Sequence, residues 1–218
     1  MLTVSKFNIQ PDEGGMSMSM HEAVLELVDF AWSRRTLVRG SMAAAVALAT
    51  PAALGRAFAQ GLSDVDILQF ALTLEHLEAR MYQDMLATNI LTGKEQRYFQ
   101  SFGSHEAAHV DALRNVLNGL GVSPVQALPA YNFPQFNSRE AILDFARVAE
   151  ETGVGAYQGA AAAIQNKDYL AAAGSIVQVE ARHAAIVRLL LGQRPVPAPT
   201  TPSLTIDQVN QIVGPILS

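Results

Sequence analysis

Two short motifs bring together side chains that hold cations. Glu106-Ala107-Ala108-His109 and Glu180-Ala181-Arg182-His183 both read Glu-x-x-His. A spacing of three puts the carboxylate and the imidazole on one helical face, a turn apart, so both reach a common point. Two further glutamates, Glu75 and Glu150, interrupt apolar helical stretches elsewhere in the chain. There is no cysteine. Thiol catalysis, disulfides and thiolate-held clusters are therefore excluded, and a metal has only His, Asp, Glu or backbone oxygen to bind it. Oxygen and imidazole donors suit iron(II) or manganese(II), and zinc also occupies such sites.

The chain repeats itself around these residues. Glu75 precedes Tyr82 by seven positions and Glu150 precedes Tyr157 by seven, with Gln83 and Gln158 after the tyrosines. Glu75 to Glu106 is 31 residues and Glu150 to Glu180 is 30. The pattern is that of two copies of one helical hairpin related by a pseudo-twofold. Tyr82 and Tyr157 are the candidate catalytic residues. Each is a core tyrosine whose hydroxyl needs a partner, and a carboxylate at the centre supplies one while placing a redox-active phenol nearby.

The elements that position these groups are helices. Alternating β-branched runs are absent after Gln60, and apolar residues recur at helical spacing. A first helix is predicted over 63–89, opened by a capping box of Ser63 and Asp66, with Leu68, Ala71, Glu75, Glu78, Tyr82 and Met85 on one face. A second is predicted over 94–120, stopped by Gly121, with Phe99, Phe102, Glu106, His109, Leu113, Val116 and Leu120 inward. Pro124, Pro129 and Pro134 forbid a continuous helix over 121–136, a stretch long enough to cross a bundle end to end. A third helix follows over 138–164, with Asn137 and Glu140 as its capping pair, and a fourth over 168–191, closed by Gly192. Short turns inside each hairpin and one long connection between them describe an all-α four-helix bundle with a crossover between helices two and three. A proline-rich strap over 194–202 leads to a short terminal helix over 205–213, capped by Thr205.

These residues resemble the ferritin-like superfamily of carboxylate-bridged dimetal proteins. The segments LEHLEARMY (74–82) and EETGVGAYQGA (150–160) are similar to those of exported bacterial members of the stress- or desiccation-related type. Carried over by position, the resemblance implies six metal ligands: Glu75, Glu106, His109, Glu150, Glu180 and His183. Glu106 and Glu180 are then the bridging pair, and each histidine serves one ion. Four ionised carboxylates balance two divalent cations, so the filled site is neutral, whereas an empty one drives its carboxyl pKa values upward. Glu151 competes with Glu150, and the matched spacing to Tyr157 favours Glu150. Glu78 shares the face of Glu75, either supporting it or standing in its place. His105 is a further candidate ligand, and His76 reads as a surface or inter-subunit residue. Gly153, Gly155 and Gly159 thin the third helix, which implies close packing or room beside the metals.

Ser33-Arg34-Arg35-Thr36-Leu37-Val38-Arg39 resembles the twin-arginine export signal. An alanine-rich stretch over 41–54 follows, too short for a confident membrane span, and Ala57-Phe58-Ala59 has the small-x-small form of a cleavage site. The expected organisation is an export signal over 1–59, a bundle over 60–192, and a strap with terminal helix over 193–218. Localisation in the periplasm or envelope follows from that signal. Net charge is −5 with no basic run, so nucleic-acid binding has no electrostatic support. The resemblance implies redox chemistry with dioxygen or peroxide, or Fe(II) oxidation, in a homodimer. Metal binding without turnover, or an envelope stress-protection protein stapled by metal, are the alternatives.

Overall fold

The computed structural model describes residues 61–218; the expected export signal over 1–59 lies outside them. The described residues form five α-helices and no strand: α1 (Asp64–Ala87), α2 (Gly93–Gly119), α3 (Arg139–Ala161), α4 (Lys167–Leu190) and α5 (Ile206–Leu217). None is long and apolar enough to cross a membrane.

The helix ends follow local chemistry. Ser63 and Asp66 form the expected capping box on α1, and Thr205 with Gln208 forms another on α5. The cap of α3 differs from expectation. Ser138, rather than Asn137, accepts from the Ala141 amide, because its shorter side chain sits at the residue where the backbone turns helical. Gly121 and Gly192 take positive φ after α2 and α4. The amides of Val122 and Gln193 then reach back to Leu117 and Arg188, completing Schellman motifs. The inner stripe of α2 keeps the expected Leu113 but takes Val110 and Leu117 in place of Val116 and Leu120; Leu120 is exposed. A period of 3.6 carries a stripe around a long helix in this way.

α1 pairs with α2 and α3 with α4 as two hairpins, joined by the crossover over 120–138. Tyr82 meets Glu150 while Tyr157 meets Glu75, so α1 and α3 run antiparallel. Two apolar clusters occupy the bundle at either side of the glutamates. One contains Met81, Phe99, Phe102, Ile142 and Val187, the other Leu68, Leu72, Leu113, Leu117 and Ile176. A third joins the terminal helix to the outer side of α1 and α3, through Phe70, Leu74, Val148, Val209 and Ile212.

α5 runs to Leu217, past Gly214 and Pro215, where a stop at Val213 was expected. Ile216 and Leu217 pack on the third cluster, and Ile216 accepts a hydrogen bond from the Asn132 amide at 2.8 Å. These contacts outweigh the amide that Pro215 lacks. The small residues of α3 also have a definite use. The Leu204 amide donates to the Gly155 carbonyl at 2.9 Å. A Cβ on Gly155 would lie 2.5 Å from Leu204 Cγ, and one on Gly159 would lie 1.8 Å from the Leu204 carbonyl oxygen. Gly155 and Gly159 thus pack against the end of the strap, whereas Gly153 faces Glu78 of α1 and Glu180 of α4. Gly159→Ala is therefore expected to lift Leu204 from α3 and lower stability by about 1–3 kcal/mol, the range for overpacked sites, read as a fall in Tm. An unchanged Tm would show that the strap does not rest on this groove.

Candidate metal centre

Midway along the bundle the four long helices each turn acidic side chains inward. Glu75, Glu106, Glu150 and Glu180 are fully buried, and His183 is 2% exposed. Their donor atoms fall into two groups. Glu75, Glu106, His109 and Glu180 form one; Glu106, Glu150, Glu180 and His183 form the other. Within each group, one atom per residue lies within 4.8 Å of all the rest. All six residues singled out in the sequence are thus brought together, with Glu106 and Glu180 common to both groups.

Both histidines point Nδ1 inward. His109 Nδ1 lies 3.0 Å from Glu106 Oε2, 3.1 Å from Glu180 Oε1 and 3.2 Å from Glu75 Oε2. His183 Nδ1 lies 3.0 Å from Glu106 Oε1 and 3.3 Å from Glu150 Oε2. Glu106 therefore turns one oxygen to each histidine, the geometry of a bridging carboxylate. The tyrosines cross between hairpins: Tyr82 on α1 donates to Glu150 Oε1 and Tyr157 on α3 donates to Glu75 Oε1. Each phenol fixes one oxygen of its carboxylate.

Other atoms make no well-aligned hydrogen bond, although histidine nitrogens lie close to several of them. Glu106 Oε1, Glu150 Oε2, both carboxylate oxygens of Glu180 and His183 Nδ1 are buried without a hydrogen bond. Orphaned buried polar atoms are costly, and here they converge. Hard oxygen and imidazole donors in this arrangement fit a divalent metal.

Electrostatics tell the same story. Burial, reinforced by Glu180 and Glu106, pushes the Glu75 carboxyl up to about 8. Burial likewise raises Glu78, Glu150 and Glu180. Glu106 goes the other way: burial is outweighed by His109 and His183, which hold it down to about 2. Burial would lower His109, yet the carboxylates of Glu106, Glu180 and Glu75 push it up to about 12. Protons occupy the place of cations.

The neighbours whose roles were open now have places. Glu78 is buried and belongs to neither donor group. Its Oε1 lies 3.2 Å from where a Gly153 Cβ would be, and Glu180 Oε2 lies 3.6 Å from that point. His105 is also outside both groups. Its ring stacks on His183, with Nδ1 2.9 Å from His183 Nε2. A neighbour on the outer nitrogen holds the ring orientation of His183. Glu151 pairs with Arg147 at 2.9 Å and with Arg188. His76 Nε2 lies 3.3 Å from the Val125 carbonyl oxygen, half-buried against the crossover.

In the metal-free protein, Glu75 and His109 hold protons that the unfolded chain releases between pH of about 5 and about 8. The native state then binds more protons, so stability falls as pH rises. Calorimetry is expected to show the metal-free Tm dropping over this window, and Mn(II) loading to remove the drop. Loading near neutral pH is also expected to acidify an unbuffered solution. A metal-free Tm that climbs across the window would contradict this protonation pattern.

Comparison with known proteins agrees with the fold. No curated protein gives a significant match. A conserved hypothetical protein from Mycobacterium tuberculosis, of known crystal structure, superposes with a TM-score of 0.54 at 20% identity, over 62% of this chain and 94% of that one. At that identity the similarity speaks for the fold alone. The ferritin-like domain model matches residues 63–193, more than half of the chain, and the protein therefore belongs to the ferritin-like domain family.

Proposed function

We propose that this chain is an exported dimetal-carboxylate protein that uses two iron or manganese ions in redox chemistry with a small oxidant. The observation that carries the reading is the sharing of Glu106 and Glu180 between two four-donor groups. Glu75 and His109 would hold one ion, and Glu150 and His183 the other. When bound, such a metal pair supplies electrons to dioxygen or peroxide, with Fe(II) oxidation as the simplest case.

The protein's own side chains do the rest. Tyr82 and Tyr157 fix Glu150 and Glu75 by hydrogen bonds, which holds a phenol beside each of these carboxylates. His105 orients His183. The apolar clusters on either side exclude water, which strengthens every charge interaction between them. The paired arginines at 34–35 and the Ala57-Phe58-Ala59 sequence support export to the periplasm or envelope. A homodimer and a role in stress protection complete the reading.

Glu106 and Glu180 replaced together by alanine test it. The expected variant is folded by circular dichroism, binds less than one tenth of the wild-type Fe(II), and shows no absorbance change when mixed with oxidant in a stopped-flow cell. Wild-type protein that loads fully and stays spectrally silent with both oxidants would sink the redox assignment and leave metal storage. Loss of folding in the variant, with a silent wild type, would favour the metal as a structural staple.

A further inference from the structure

A cavity of about 80 Å³ lies against the carboxylate centre on its α1/α3 side. Its walls come from α1, α3, α5 and the crossover, and include Leu74, Phe145, Val148, Ile212, Val213 and Ile216. Its inner end is Glu78 and Gly153. Both touch the centre's edge: a Cβ on Gly153 would meet Glu78 Oε1 at 3.2 Å and Glu180 Oε2 at 3.6 Å.

The lining has little to offer a hydrogen-bonding guest. The Thr152 hydroxyl donates to the Val148 carbonyl at 2.7 Å, and the Asn132 side-chain amide donates to the Ser218 carbonyl. Besides these, the wall is aliphatic or aromatic except at Glu78. An apolar lining of this kind favours apolar guests over polar ones. A hydrated cation would lose its water here without replacement. Hydrogen peroxide would lose its hydrogen bonds. The polar edge of the centre lies elsewhere, where the His109 side chain is 12% exposed and His105 reaches the surface.

We propose that this cavity is the binding and entry site for dioxygen, with Glu78 and Gly153 as its inner threshold, and that this route admits dioxygen and not peroxide. The inference rests on the dimetal reading above and narrows it. Val213 lies on α5, is none of the proposed ligands, and lines the cavity, so its side chain sets the free volume there.

Crystals of the metal-free protein pressurised with xenon are the first test. Xenon is expected in the cavity of the wild type and absent from Val213→Phe; an empty wild-type cavity overturns the proposal. The second test follows oxidation of pre-loaded Fe(II). Val213→Phe is expected to slow the dioxygen reaction about tenfold or more, since a close-packed wall admits no diatomic, while Fe(II) uptake and the peroxide reaction stay unchanged. Ile216→Phe, at a second point of the wall, is expected to behave alike and guards against a local folding defect in the first variant. Unchanged dioxygen rates in both folded variants overturn the route and leave the dimetal reading intact. Equal slowing with both oxidants overturns the selectivity for dioxygen. A wild type that takes up Fe(II) and reacts with neither oxidant overturns the dimetal redox reading, and the route falls with it.

Discussion

Four carboxylates buried at one level of an apolar bundle are the constraint around which the molecule is arranged. An ion taken out of water costs several kcal/mol even after relaxation, and Glu75, Glu106, Glu150 and Glu180 are all fully enclosed. Hydrogen bonds offset part of that cost. The two tyrosines take one oxygen each, and His109 sits among three carboxylates. What is left is a set of converging donor atoms without hydrogen bonds. The apolar clusters above and below supply the stability that makes such a layer tolerable, and the same clusters keep water from relieving it. Folding energy is concentrated at the ends of the bundle and chemistry in its middle.

Much of this was legible because it depends on local spacing. A three-residue step puts Glu106 with His109 and Glu180 with His183 on one face whatever the surroundings. Ser63, Gly121 and Gly192 mark helix ends through their own side chains or their lack of one. Features that depend on residues far apart were not legible. The ring of His105 finds His183 across 78 positions, and its neighbour Glu106 gives no sign of that. Glu78 and Glu75 share a helix face, so only the reach of α3 and α4 decides which one joins the donor groups. The glycines of α3 advertised a close approach, but the approaching group, Leu204, lies in a strap with no periodic signal. α5 outran its proline because Ile216 and Leu217 found a surface to cover.

The strap and α5 look at first like an appendage to a complete bundle. Their contacts argue otherwise. Leu204 is held in the glycine groove of α3, beyond Glu150 on the same helix, and Ile212 and Val213 line a space that reaches Glu78. The tail thus forms part of the boundary between solvent and the centre on the α1/α3 side. The opposite side is bounded by histidines, so the two approaches to the centre differ in polarity.

The crossed pairing of phenol and carboxylate carries a historical implication. Tyr82 serves Glu150 and Tyr157 serves Glu75, so neither half of the repeat satisfies its own glutamate. The rule is reciprocal, and two identical hairpins facing each other would obey it equally well, tyrosine of one to glutamate of the other. A pair of separate hairpins, each half of the bundle, would satisfy the same pairing rule as the single chain does. Once fused, a substitution at either tyrosine is felt at a glutamate in the other copy, which ties the divergence of the two halves together.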